Sequence, residues 1–324
     1  MTTHSAESTG PSVAERWRPA SITVRRDVDL WDWAVSTLDE LSALLREHGA
    51  VRVRGAGVTA DSFGELVSAV ADAPLADYVQ RSTPRRKVEG RIYTSTEYRR
   101  DQVIHLHSEQ SYATSWPKVV GFWCRQPARE GGATTLASNA EVLAGLPTDL
   151  VRRFTASGVR YERWYQPFLD LPWPEVFQTD DPLEVDRVCA GMGIETSWYD
   201  GGAVLRTRQA AQATIRRDGR EVWFNQVGLF HPAALPADTA AALRARAGDR
   251  LPRNVLFGDG SPIPDEDVAA VNASAGRATW REPWQADDVL LVDNEAVAHG
   301  RDAYVGERTV LVAMAGVGGA PDVR

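Results

Sequence analysis

Val103-Ile104-His105-Leu106-His107-Ser108-Glu109, answered far down the chain by Asp293-Asn294 and His299-Gly300-Arg301, is the stretch on which the reading of this sequence turns. Residues i and i+2 of an extended strand point to the same face. His107 and Glu109 can therefore grip one metal ion together. A third ligand, His299, reaches them only in a closed tertiary fold. His105 shares the same strand face and is a rival ligand, read here as a packing or supporting histidine. His231 is the other competitor for the third position. It precedes Pro232, which suggests a turn, where a histidine is more often exposed. Two histidines and one carboxylate on one side of a metal leave its other positions open, as in non-haem Fe(II) oxygenases.

The triplet alone is weak. Six histidines and 44 acidic residues in 324 give about 0.8 such His-x-acid matches by chance, and the chain contains one. The same three ligand types also serve zinc hydrolases. A non-catalytic jelly-roll protein with a structural zinc is therefore the rival reading, and only the surrounding text separates the two.

Composition narrows the classes. A hydrophobic fraction of 43% and a charged fraction of 25% are those of a soluble globular protein. The net charge of −8, with no basic cluster, argues against a nucleic-acid partner. Two cysteines, Cys124 and Cys189, make no disulfide framework and no zinc-site spacing, which points to a reduced, cytoplasmic protein. The polar start from Met1 to Gly10 is no secretory signal, and no run of eighteen apolar residues spans a membrane. Of the eleven tryptophans, several fall between Trp164 and Trp198, where they serve core packing or line a ligand pocket.

Along the chain, residues 1–20 read as a loosely held lead and 21–324 as a single domain. Ser36-Thr37-Leu38-Asp39 opens a helix with Leu38, Leu41, Leu44 and Leu45 at helical spacing, closed by Gly49. A strand over 51–54 follows, then a helix from an N-cap at Asp61 to Ala71. Residues 78–96 are polar and turn-rich, a candidate substrate loop. Val119 to Cys124 is a buried strand, Gly131-Gly132 a turn, and Thr134 to Ala137 another strand. Residues 139–156 are helical with a break at Pro147. Residues 161–204 hold no persistent period and read as a lid insertion. Strands return at 221–226, 289–294 and 308–314, with a helix over 240–247 between the first two. Many short strands edged by a few helices suit a mostly β double-stranded β-helix, or jelly roll. No Gly-x-Gly-x-x-Gly or P-loop follows a strand.

An oxygenase of this kind that uses 2-oxoglutarate needs a cation for the distal carboxylate of that co-substrate. Arg308 is the best candidate, since a guanidinium fork meets a carboxylate at two points. Arg301 is the alternative. The Thr134 hydroxyl adds a further hydrogen bond.

With these residues in hand, the chain resembles the taurine/2,4-D dioxygenase-like superfamily of Fe(II)/2-oxoglutarate oxygenases, and within it the branch of syringomycin-pathway hydroxylases. The carrying text is Tyr93 to Tyr98, Leu106 to Tyr112, Trp116-Pro117, Pro127-Ala128 to Thr134, Val222 to Gln226, Pro283-Trp284-Gln285, Asp293-Asn294, and His299-Gly300-Arg301 to Arg308. The resemblance implies a clavaminate synthase-like jelly roll, with His107, Glu109 and His299 as iron ligands and Thr134 and Arg308 on 2-oxoglutarate. It implies Fe(II), 2-oxoglutarate and O2 as the reacting set. Related halogenases replace the carboxylate ligand with a small residue, so Glu109 speaks for oxygenation. After Gly131-Gly132 the family often has Glu-Thr-Pro and then Ala-Asp, whereas this chain has Ala133-Thr134-Thr135-Leu136-Ala137-Ser138-Asn139. The implied substrate is an amino acid or its derivative, free or presented by a peptidyl carrier protein. Glu97, suited to a substrate ammonium, and Asn225 are the candidate substrate contacts.

Overall fold

Six consecutive buried residues, Val119 to Cys124, make both faces of the strand Val119–Gln126 apolar. Such a strand belongs in the middle of a covered sheet. In the computed structural model, which describes residues 16–25, 27–77, 86–95, 98–167, 169 and 171–319, it sits at the centre of a seven-stranded sheet. The order is Ala20–Thr23, Ala50–Arg54, Val289–Asp293, Val119–Gln126, Thr309–Ala315, Ile92–Thr94 and Lys87–Glu89. All neighbours run antiparallel except the first pair.

Facing it is a three-stranded antiparallel sheet of Ile104–His107, Val297–Arg301 and Thr134–Ser138. Strand alternation fills the space between with Leu290, Val292, Val120, Phe122, Val310, Val312 and Leu136. The residues between them, Val289, Leu291, Leu311 and Ala313, point the other way, under the helices Leu30–His48 and Ala60–Ala71. Gly121 permits that close approach, because a Cβ there would lie 2.4 Å from Val67 Cγ2. The two facing sheets are the double-stranded β-helix expected from the strand pattern.

Several local expectations shift. The first helix begins at Leu30, capped by Asp29, whose carboxylate accepts from Trp31 N at 2.8 Å. Its first turns, Leu-Trp-Asp-Trp-Ala-Val, hide their period behind two tryptophans. It ends as expected at Gly49, in the left-handed region at φ 73°. The second helix is capped by Thr59, two residues before Asp61, through a capping box with Ser62. The lead lies outside the described residues up to residue 15. From there Trp17 is held, its indole donating to His48 O at 2.9 Å. Cys124 and Cys189 are both free and buried, and burial pushes each thiol up to about 12.

Residues 161–204, expected as an irregular insertion, carry regular structure. With their flanks they form a four-stranded antiparallel sheet, ordered Ile194–Tyr199, Val204–Ala211, Val159–Tyr165 and Arg253–Phe257. The helices Trp173–Phe177 and Pro182–Gly191 join it. Its period is masked because Glu162 is buried mid-strand, where it accepts from Arg208 Nε at 2.7 Å and from Trp164 Nε1 at 3.1 Å.

Candidate metal centre and its cavity

His107 is the last residue of its strand, and in the antiparallel register it stands directly opposite His299. Directly opposed residues have neighbouring side chains, and the two imidazole centroids lie 4.6 Å apart. Glu109 arrives differently from the strand alternation expected. The strand ends at His107, and Glu109 lies in the turn that follows, where Gln110 has φ 54°. That turn brings the Glu109 carboxylate to 3.7 Å from His299 Nε2. One donor atom from each of His107, Glu109 and His299 lies within 4.8 Å of the others. Among the described residues no other cluster of three metal-ligating side chains forms.

The donor set suits a divalent transition metal. Glu109 and His299 are 3% and 5% exposed, and a carboxylate buried this deeply calls for a cation. His107 Nδ1 lies 2.8 Å from His105 O. A carbonyl can only accept, so the proton sits on Nδ1 and the Nε2 lone pair is left for a metal. His299 Nδ1 is buried and meets no hydrogen-bond partner among the described residues. Two imidazole nitrogens and one carboxylate oxygen are the donor set that Fe(II) oxygenases use.

The rival histidines stand elsewhere. His105 Nε2 faces Ala234 O at 3.2 Å, and burial lowers its pKa. His231, expected to be exposed, is buried at 7% and caps the short turn Pro232–Ala234 by accepting from Ala233 N.

A cavity of about 30 Å³ adjoins the cluster, lined by His107, His299, Phe122, Thr134, Arg301 and Arg308 among others. Arg308 donates from Nε to Gly132 O at 2.9 Å and from Nη1 to Ser95 Oγ at 3.4 Å. Among the described residues it has no carboxylate partner. Desolvation, reinforced by nearby Arg301, pushes its pKa down to about 10. Arg301 is committed elsewhere, donating to the carbonyls of Tyr98, Arg99 and Gln102. Of the two arginines, then, Arg308 is the one left to meet an anion. Thr134, opposite Arg301 in the register, accepts from Trp284 Nε1 at 3.2 Å.

The two substrate candidates fare differently. Glu97 lies outside the described residues. Asn225 spends its amide on the backbone, with Nδ2 donating to Ala213 O at 2.7 Å and Oδ1 accepting from Val227 N at 2.9 Å. Both ends therefore help to hold the chain between the strand Arg220–Trp223 and the helix Val227–Phe230, and the residue also lines a small cavity with His107 and Ser108.

Three side chains take supporting roles that the sequence does not assign them. Asn294 bonds to both peptide groups of Glu109, Gln226 Nε2 donates to Ser108 O at 3.0 Å, and Asn139 Nδ2 donates to Ser108 Oγ at 3.1 Å.

Comparison with known proteins agrees with this geometry. The family model of the taurine catabolism dioxygenase TauD, TfdA family matches residues 13–314. The dapdiamide synthesis protein DdaC of Enterobacter agglomerans is 39% identical over 278 residues, covering 85% of this chain and 84% of its own length. A clavaminate synthase-like protein of Arabidopsis thaliana is 31% identical over 289 residues, covering 85% and 83%. The solved structure of PvcB from Pseudomonas aeruginosa shares the fold at a TM-score of 0.52 and 16% identity, covering 92% of this chain and 86% of its own.

Proposed function

The chain belongs to the TauD/TfdA dioxygenase family, and from that premise we propose that it oxidises an unactivated C–H bond of an amino acid or an amino-acid-derived natural-product intermediate, with His107, Glu109 and His299 holding its iron. The enzyme class itself is an Fe(II)/2-oxoglutarate-dependent oxygenase, which sets aside the non-catalytic zinc reading. The observation that carries the site assignment is the convergence on one cavity of His107 and His299, two of three clustered donors, and Arg308, a cation with no carboxylate partner among the described residues.

When bound, iron and 2-oxoglutarate supply the oxidation: the 2-oxo acid loses CO2 to give succinate as O2 is consumed and a substrate C–H bond is oxidised. The chain's own residues position and shield. Arg308 takes the distal carboxylate of 2-oxoglutarate through its guanidinium fork. The Thr134 hydroxyl already accepts from Trp284, so its own proton is free for an oxygen of the diacid. His105 O keeps the His107 proton on Nδ1. Phe122 stands edge-on to His299, with centroids 5.1 Å apart, and keeps that side of the centre apolar.

Hydroxylation is the expected outcome, and desaturation, epoxidation or cyclisation follow from the same oxidation with a differently held substrate. The relative named for dapdiamide synthesis supports a biosynthetic role. The substrate arrives free or on a peptidyl carrier protein, within the cytoplasm. Among the described residues no helix is long and apolar enough to cross a membrane. The test is succinate release from 2-oxoglutarate and Fe(II) across a panel of free amino acids and their carrier-bound thioesters. A member of the panel should raise succinate release well above the substrate-free rate. If none does, in either form, the substrate class is wrong.

A further inference from the structure

We propose that Arg52, on the strand Ala50–Arg54, is a positioning residue for 2-oxoglutarate: its guanidinium, seated between the indoles of Trp280 and Trp284, holds the Trp284 ring so that the ring N–H is aimed at the Thr134 hydroxyl. This rests on the reading above that Thr134 meets the co-substrate.

Arg52 occupies a position where the fold expects an apolar residue. It stands opposite Leu290 in the register and shares its face, between the two sheets, whereas Val51 and Val53 point under the helices. The side chain is wholly buried. Burial lowers its pKa, against the pull of Glu282 and Asp288. Its Nε and Nη2 meet no hydrogen-bond partner among the described residues. A buried charge with unmade hydrogen bonds is costly, so the position calls for a gain that hydrogen bonding does not supply.

Neighbouring Arg54 removes the ordinary explanation. Arg52 Nη1 donates to Pro283 O at 3.2 Å and lies 3.5 Å from Glu282 Oε2 and 3.6 Å from Asp288 Oδ2. Arg54 meets the same three groups, with Nη1 at 2.7 Å from Glu282 Oε1, Nε at 3.2 Å from Asp288 Oδ1 and Nη2 at 3.4 Å from Pro283 O. Every polar partner of Arg52 among the described residues is thus also held by Arg54. What distinguishes Arg52 is the pair of rings. Its guanidinium carbon lies 5.2 Å from the Trp280 centroid and 5.0 Å from that of Trp284, within cation–π reach.

Both rings lead to the strand Thr134–Ser138. Trp280 pairs with Leu136 through the backbone, its N donating to Leu136 O at 2.7 Å and its O accepting from Leu136 N at 2.9 Å. Trp284 is buried and donates from Nε1 to Thr134 Oγ1 at 3.2 Å. An indole N–H lies in the plane of its ring, so a cation that fixes the ring face also fixes where the N–H points. The hydroxyl that accepts this bond keeps its own proton for an oxygen in the cavity that Thr134 lines. Arg52 therefore acts on the co-substrate through Trp284 and Thr134, without touching it.

The test is anaerobic calorimetry of 2-oxoglutarate binding to the Mn(II)-loaded enzyme, for Arg52→Met, Thr134→Val and the double variant. Methionine fills apolar space and leaves both carboxylates and Pro283 O with Arg54, so the melting temperature should not fall. 2-Oxoglutarate should bind about fivefold more weakly, the worth of one aligned hydrogen bond, with Mn(II) affinity unchanged. In the Thr134→Val background Arg52→Met should add nothing, whereas a purely structural effect would appear equally in both backgrounds. Unchanged 2-oxoglutarate affinity in Arg52→Met, or an undiminished loss in the Thr134→Val background, overturns the proposal. Should Arg52→Met not fold, Arg52→Lys, which keeps the charge and loses the planar stack, carries the same cycle with the same expectations. If Thr134→Val by itself leaves 2-oxoglutarate affinity at the parent value, the assignment of Thr134 fails and the proposal falls with it.

Discussion

Asn294 brackets Glu109: its Oδ1 accepts from Glu109 N at 2.7 Å and its Nδ2 donates to Glu109 O at 2.9 Å. The same Nδ2 donates to Pro117 O at 2.9 Å, and the side chain is wholly buried. A side-chain amide here does the work of a neighbouring strand. It pins the turn that carries the carboxylate to the segment that leads into the His299 strand. Asn294→Ala should leave buried peptide groups unpaired, at about 1–3 kcal/mol for each, and lower metal affinity by roughly 10–100-fold, as loss of a ligand's supporting bond does. Titration with Mn(II), followed by the loss of its free-ion EPR signal, measures this. An unchanged affinity would show that Glu109 is oriented by something else.

Removal of a donor is the sharper test of the centre. His107→Ala and His299→Ala should each abolish Fe(II)-dependent succinate formation and keep the far-ultraviolet circular dichroism of the parent. Full activity in either variant would break the ligand assignment.

The two arginines beside the centre should separate by phenotype. Arg308→Ala removes a charged two-point partner for a carboxylate, so 2-oxoglutarate should bind roughly 10–100-fold more weakly with metal affinity kept. Arg301→Ala frees the carbonyls of Tyr98, Arg99 and Gln102 and should chiefly lower the melting temperature. Calorimetry of 2-oxoglutarate binding distinguishes them, and equal losses of 2-oxoglutarate in both variants would count against Arg308. Trp284→Phe should weaken 2-oxoglutarate several-fold by freeing the Thr134 hydroxyl to rotate. In a Thr134→Val background it should add little, because the two act through one hydroxyl.

His231 gives a pH dependence whose sign is determined by its surroundings. Desolvation lowers its pKa from the usual 6.5, with Asp265 pulling the other way and Arg244 adding to the depression. Its Nδ1 accepts from Ala233 N, so Asp265 Oδ1, at 3.9 Å, faces an unprotonated nitrogen. Below pH 6.5 the unfolded chain takes up a proton that the folded one resists. Stability is therefore full above 6.5 and lost as pH falls toward the lowered folded value. The melting temperature of His231→Asn, which retains a capping oxygen, should fall less than that of the parent between pH 7 and pH 5. Parallel curves would remove His231 from the acid response.

Legibility followed the range of the interaction. Val119 to Cys124 and Val289 to Val292 are legible, because a strand buried on both faces is apolar at every step. Gly49 was legible as a cap because the left-handed region selects glycine. The strand Val159–Tyr165 was not, because the ion pair of Glu162 and Arg208 and the tryptophans around it replace the two-residue period with cross-strand bonding. Asn225, a candidate substrate contact in the sequence, is also bonded to the backbone at Ala213 and Val227, and the bond to Ala213 is met only in the fold.

Taken alone, the amino-acid order determined the donor chemistry: two imidazoles and a carboxylate, with an arginine following the last of them, all at spacings a jelly roll can close. It also determined the two-sheet architecture, since periodicity is a local property of the chain. Only the tertiary structure decided that Glu109 comes from a turn and not from a strand, that His105 and His231 stand apart, and that Arg301 spends its guanidinium on three backbone carbonyls where Arg308 meets one. Each of those outcomes depends on which carbonyl, carboxylate or amide a side chain meets from a distant part of the chain, and cross-strand register, unlike periodicity, is not written in neighbouring residues.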